Sequence, residues 1–231
     1  MGIMLTRMEL WHIMNRGVDG KVLFPEEGDC IRFVHDLYEF NNETPANNTS
    51  LQLEKGNNDL RSRYSGERLV DIHGWVLNRD HYHLLLSERV EGGQRLFLRK
   101  LNIGFAKYFN EKYNRHGTLF QGRTKRVLVS QHAHFLHILH YIHLNPLDYL
   151  EGSEGWRLRD KGNVRSVRTA LEYLDTYRWS SYLDYCGKRN FPSILTTSLF
   201  KNKDVFEDYR SAVGQYLNEI ELDELSGLSL E

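Results

Sequence analysis

The stretch Val76-Leu77-Asn78-Arg79-Asp80-His81-Tyr82-His83-Leu84-Leu85-Leu86 decides the fold. Side chains on a strand alternate between its faces, so a strand over 81–87 turns His81 and His83 to one side and Tyr82 to the other. Leu84, Leu85 and Leu86 follow without a polar break, which fits a central strand buried on both faces. The Asn78-Arg79-Asp80 link is short enough to join this strand in a hairpin to an apolar run over 68–78. Two imidazoles on one strand face are a donor pair for a divalent metal. A surface histidine pair on a half-buried strand fits the same residues, and the pair alone leaves both readings open.

Working outward, 9–16 reads as a first strand with Trp11, Ile13 and Met14 apolar, and 17–20 as a turn. Residues 28–40 place Ile31, Phe33, Val34, Leu37, Tyr38 and Phe40 at helical spacing. Residues 94–113 do the same with Leu98, Leu101, Phe105, Tyr108 and Phe109, and Gly104 is a mild flaw in that helix. A strand over 123–129 and a helix over 131–144 follow, the latter limited by Pro146. The order strand, helix, strand, strand, helix, strand, helix is the split βαβ, ferredoxin-like pattern with one added helix. It predicts an α+β fold: a mainly antiparallel sheet, helices on one face, and a further C-terminal helix over 131–144. Residues 41–67 are polar and read as a long loop or insertion. Residues 151–168 read as a charged insertion, 171–185 as an aromatic stretch packing back on the core, and 219–231 as an acidic tail.

The chain nets −1, so overall charge names no partner. The distribution says more. Between 95 and 126 stand Arg95, Arg99, Lys100, Lys107, Lys112, Arg115, Arg123, Lys125 and Arg126 against the single acid Glu111. Such segregation is the footprint of a face that binds a polyanion. Cys30 and Cys186 are far apart and outside any ligand spacing, which argues against a disulfide framework or a zinc ribbon and for reduced thiols in the cytoplasm. No apolar run approaches the ~20 residues of a membrane span. No secretory leader is evident at the N-terminus, and the expected location is cytoplasmic, in association with the nucleoid.

A second cluster closes the helix over 131–144: Tyr141-Ile142-His143-Leu144-Asn145-Pro146. Tyr141 and Asn145 are four apart and share a helix face. A tyrosine assisted by a metal or base can be a covalent nucleophile, and an amide oxygen can add a hard ligand. A packing aromatic and a helix-end asparagine fit the same positions. His132, His134, His137, His140 and His143 are spaced for structural or DNA-contacting roles rather than for one metal site.

Together these passages resemble the IS200-like, single-tyrosine transposases of the HUH nuclease superfamily, most nearly the REP-associated tyrosine transposases. The likeness is carried in order by His12-Ile13-Met14-Asn15-Arg16-Gly17 and by the run from Gly74 through Leu86. It continues in Tyr108-Phe109-Asn110 through Gly117-Thr118-Leu119-Phe120-Gln121-Gly122-Arg123, in Tyr141 through Pro146, and in Trp179-Ser180-Ser181-Tyr182. It spans about Trp11 to Tyr185. The resemblance implies one nuclease domain over 1–187, with insertions near 41–67 and 151–168, followed by a helical extension over 188–231. It implies that His81 and His83 hold Mg²⁺ or Mn²⁺ and that Tyr141 is the nucleophile. Asn145 stands where the family commonly has a third polar ligand, with an amide one methylene shorter than the glutamine of better-known members.

The activity implied is metal-dependent cleavage and strand transfer of single-stranded DNA at hairpin-forming sites, through a 5′-phosphotyrosine. The protein would act as a monomer or a homodimer. Arg16, Lys107, Arg115, Arg123, Lys125 and Arg126 are the candidate DNA contacts. Two alternatives stand beside it: a hairpin-binding protein without the chemistry, and a metal-dependent hydrolase that uses water.

Overall fold

The computed structural model describes residues 9–43, 67–129, 132–158, 166–201 and 208–218. Most of the polar insertion near 41–67, part of the one near 151–168, and the acidic tail lie outside the described residues.

Four strands form one antiparallel sheet: β1 (Leu10–Arg16), β2 (Val70–Leu77), β3 (His81–Glu88) and β4 (Lys125–Val129), in the order β2-β3-β1-β4. This is the arrangement that the split βαβ order predicts. In β3 every residue from His81 to Ser87 is buried, because β1 and β2 flank it and both faces are covered. Strand β4 is an edge, and its exposed Lys125 and Arg126 are the charges that keep an edge from pairing with another chain.

The strands' alternation sorts the interior into two cores. Ile13, Trp75, Leu77, Tyr82, Leu84 and Leu86 face α1 (Glu27–Glu39) and α2 (Gly93–Lys112). Leu10, Val76 and Leu85 face the other way, against α3 (His132–Leu144), α4 (Val167–Leu174), α5 (Tyr182–Tyr185) and α7 (Tyr209–Asn218). A short α6 (Ser198–Lys201) precedes α7. The two helices of the split βαβ unit thus share one face, and the added helix, which carries Tyr141, covers the opposite one. In α7, Tyr209, Val213 and Leu217 enter the same core as Leu139 and Ile142.

Two details bring the tyrosine helix close to the sheet. Strand β2 bulges between Ile72 and Gly74. At Gly74 a β-carbon would lie 2.8 Å from Leu139 Cδ1, so glycine lets α3 approach the strand closely. Pro146 then converts the end of α3 into a 3-10 turn, Asn145–Tyr149, as the loss of its N–H requires. A second such turn, Glu154–Leu158, packs against the first.

Candidate active site

Alternation along β3 puts His81 and His83 on one face, as the sequence predicts, and that face is the one toward α3. Strand β1 adds a third histidine. His12 stands opposite Leu85, and its ring stacks on His83 with centroids 5.1 Å apart and planes 11° from parallel. Its Nε2 is 2.9 Å from His83 Nδ1, so one nitrogen donates to the other. The Tyr141 ring meets both edge-on, at 5.8 Å from His12 and 5.7 Å from His83. The structure therefore brings His81, His83 and Tyr141 together across 60 residues of chain, between a central strand and the helix above it.

The hydrogen bonds fix the roles that the imidazoles can play. His81 Nδ1 donates to Asp80 Oδ1 at 2.7 Å. Its Nε2 is then the lone-pair nitrogen, and it accepts from Asn78 Nδ2 at 2.8 Å. A carboxylate on the far nitrogen is the outer partner that metal-binding histidines commonly have. His83 Nε2 is buried and has no hydrogen-bond partner among the described residues. When His83 Nδ1 donates to His12, that orphaned Nε2 carries a lone pair. Burial, then the nearby His12, His81, Arg157 and Arg16, holds the His83 imidazole well below the usual histidine range. Burial pushes His12 down to about 4. Both rings are neutral at pH 7, the form in which imidazole binds a metal.

An unpartnered buried nitrogen on His83 and a carboxylate-held His81 fit a divalent ion. Among the described residues no three His, Cys, Asp or Glu side chains gather as a ligand set, so the remaining donors would be amide oxygens and water. Asn145 is one turn beyond Tyr141 and fully buried. Its Oδ1 accepts from Asn78 Nδ2 at 3.2 Å and from Arg157 Nη2 at 2.9 Å, and its Nδ2 donates to the Tyr141 carbonyl at 2.7 Å. To bind an ion, that oxygen would exchange one of its two donors for the metal.

Arg157 comes from the segment that reads in sequence as an insertion. Its Nη1 donates to the Tyr141 hydroxyl at 2.6 Å. Asp148 receives its Nε at 3.0 Å and its Nη2 at 2.6 Å. Trp156 donates to the same carboxylate at 2.6 Å, and the guanidinium carbon sits 4.6 Å from the centre of a Trp156 ring. Burial works against the Arg157 charge, and the Asp148 carboxylate and Tyr141 oxygen more than offset it, so the guanidinium stays charged.

The candidate DNA contacts do not share one surface. Arg16 and Lys125 lie in strand register with the histidine face, Lys125 being paired with Met14. Arg126 pairs with Ile13 and points the other way, where it donates to Gln94 Oε1 at 3.0 Å and covers Trp11. With Arg123 it lines an open cleft of about 310 Å³ that also holds Arg95 and Arg99. Lys107 is exposed on α2. Arg115 is tied to the Asn110 side chain and the Thr118 carbonyl. Two other histidines of α3 are tied into the core by hydrogen bonds. His143 bridges Tyr209 and Ser181 at 2.6 and 2.7 Å, and His137 meets Tyr216 at 2.8 Å. The side chains of His132 and His134 lie outside the described residues.

Sequence reasoning gave no role to His12, Asn78, Asp80, Asp148 or Arg157. For His12 the missing information is the β1–β3 register, which periodicity does not supply. For Arg157 no local signal exists, because its partners Tyr141 and Asp148 meet it only through the turns after Pro146.

No protein-family model matches the sequence, and no curated protein matches it. Among solved structures, that of a REP-associated tyrosine transposase bound to a REP hairpin is similar at 11% identity and a TM-score of 0.45. The match covers 85% of this chain and 92% of that one.

Proposed function

We propose that this chain is a metal-dependent single-stranded DNA nuclease and strand transferase that acts through Tyr141. The observation that carries the reading is the meeting of Tyr141 with the His81–His83 pair, whose His83 Nε2 is buried and unpartnered. His81 Nε2 and His83 Nε2 would hold Mg²⁺ or Mn²⁺, with Asn145 Oδ1 as third ligand once Asn78 withdraws its donor. Such an ion supplies Lewis-acid withdrawal of charge from the phosphate oxygens.

The protein's own residues do the rest. Tyr141 attacks phosphorus in line, its oxygen–phosphorus bond forms, and the bond from phosphorus to the 3′ oxygen breaks. The phenolic proton passes to water, and the departing 3′ oxygen takes one up, so the exchange is neutral in protons overall. One phosphoester replaces another, and a second 3′-hydroxyl can reverse the step and join strands. Asp80 orients His81, and His12 sets the tautomer of His83. Arg16 and Lys125, on the histidine face, would meet the DNA backbone and make binding salt-dependent.

Labelled single-stranded hairpin DNA with Mn²⁺, run on a denaturing gel beside Tyr141→Phe, tests this. The expected result is cleavage with a covalently shifted band in the wild type alone. Cleavage of equal rate in both proteins moves the chemistry to water, and intact DNA with both leaves a binding protein.

A further inference from the structure

We infer that Arg157 is a catalytic residue of this site, its guanidinium stabilising the negative charge that passes from the Tyr141 oxygen to the phosphoryl group. The inference rests on the tyrosine reading above. Three observations support it. Arg157 Nη1 donates to the reacting oxygen at 2.6 Å, a hydrogen bond from an ionised donor. The guanidinium is held by several partners at once: Asp148 takes two of its nitrogens, Asn145 Oδ1 takes Nη2, and Trp156 covers its face while bonding the same carboxylate. A donor fixed before the reaction stabilises developing charge without the cost of reorganisation. Finally, the arginine spans the Tyr141 hydroxyl and the Asn145 amide oxygen, so one side chain sets the nucleophile and the proposed ligand oxygen relative to each other.

The step balances without any further reactant. The Tyr141 oxygen bonds to phosphorus as its proton goes to water, and the 3′ oxygen leaves with the bonding pair and takes up a proton. Arg157 stays protonated throughout, as guanidinium does in proteins. Its hydrogen bond would follow the charge from the phenolic oxygen to a phosphoryl oxygen beside it. Asp148 and Trp156 act through Arg157 and are positioning residues.

A purely structural strut between the two 3-10 turns would show the same contacts, so the test needs a readout that a strut does not move. We would measure the rate of covalent adduct formation on saturating single-stranded hairpin DNA with Mn²⁺, DNA affinity by fluorescence anisotropy, and the melting temperature. The proteins are wild type, Tyr141→Phe, Arg157→Ala and Arg157→Lys, each with and without millimolar methylguanidinium. The expected result is an adduct rate lowered by about 100-fold or more in Arg157→Ala. Arg157→Lys should be intermediate, DNA affinity retained, and methylguanidinium should restore rate to Arg157→Ala alone. A wild-type adduct undiminished in Arg157→Ala overturns the inference and leaves the tyrosine reading intact. So does a loss of rate that follows the melting temperature and is not rescued. Absence of an adduct in the wild type overturns the tyrosine reading and the inference with it.

Discussion

His81 is held at both nitrogens, by Asp80 on one side and Asn78 on the other, whereas His83 has a partner on Nδ1 only. The Asp80 contact makes a prediction at the scale of one residue. Asp80→Asn removes the charge that keeps the proton on Nδ1 and makes Nε2 a better donor, so Mn²⁺ affinity should fall about 10–100-fold. Titration calorimetry or Mn²⁺ electron spin resonance would read it, and unchanged affinity would remove Asp80 from the site. Spacing alone made legible that His81 and His83 share a strand face and that Tyr141 and Asn145 share a helix face; that the two passages belong to one site came only from the resemblance. His12 and Arg157 were not legible for a physical reason. Their partners lie in other elements, and only strand register or the path of a turn creates those contacts.

Among the elements, α2 looks flawed in sequence and is not. Gly104 costs helix propensity, yet a β-carbon there would overlap the Phe40 ring at the end of α1. The glycine is the seat for that ring. Gly104→Ala gains about 1 kcal/mol in propensity but overpacks the joint at a cost of about 1–3 kcal/mol. We expect a net loss of stability by denaturant unfolding; a gain would mean that α1 and α2 pack more loosely than described. The same pair of helices is tied at the other end by Asp29, which accepts from Tyr108, Tyr113 and Lys112. Element order and strand pairing followed from hydrophobic periodicity and the short hairpin link. The layer beneath α3 did not, because α7 meets Leu139 and Ile142 from nearly 70 residues away, a long-range contact that spacing within either helix does not fix.

At the scale of the whole molecule, burial leaves His12, His73, His83, His140 and His143 all below the usual histidine range, desolvation being the leading cause in each. The unfolded chain takes up protons at these residues near pH 6.5. In the folded chain His12 and His140 resist protonation until about 4. Between those limits the unfolded state binds more protons, so stability is complete above about pH 6.5 and is lost as pH falls toward about 4. Each such histidine contributes a slope of about 1.4 kcal/mol per pH unit. Asp36 and Asp184, raised by burial, work in the opposite sense and soften the fall at its acid end. The urea midpoint should drop steadily from about pH 7 to about pH 5, and a flat midpoint would contradict the buried neutral histidines. Charge segregation along the chain was legible too. Lys125 and Arg126 are neighbours in sequence, and strand alternation sends them to opposite sides.

The most direct test of the central claim is peptide mapping by mass spectrometry after incubation with single-stranded hairpin DNA and Mn²⁺. The account predicts that the peptide containing Tyr141 carries a 5′-phosphodeoxynucleotide on its phenol, and that Tyr141→Phe carries none on any residue. A nucleotide found on a different side chain, or cleaved DNA with an unmodified Tyr141 peptide throughout the time course, would contradict it.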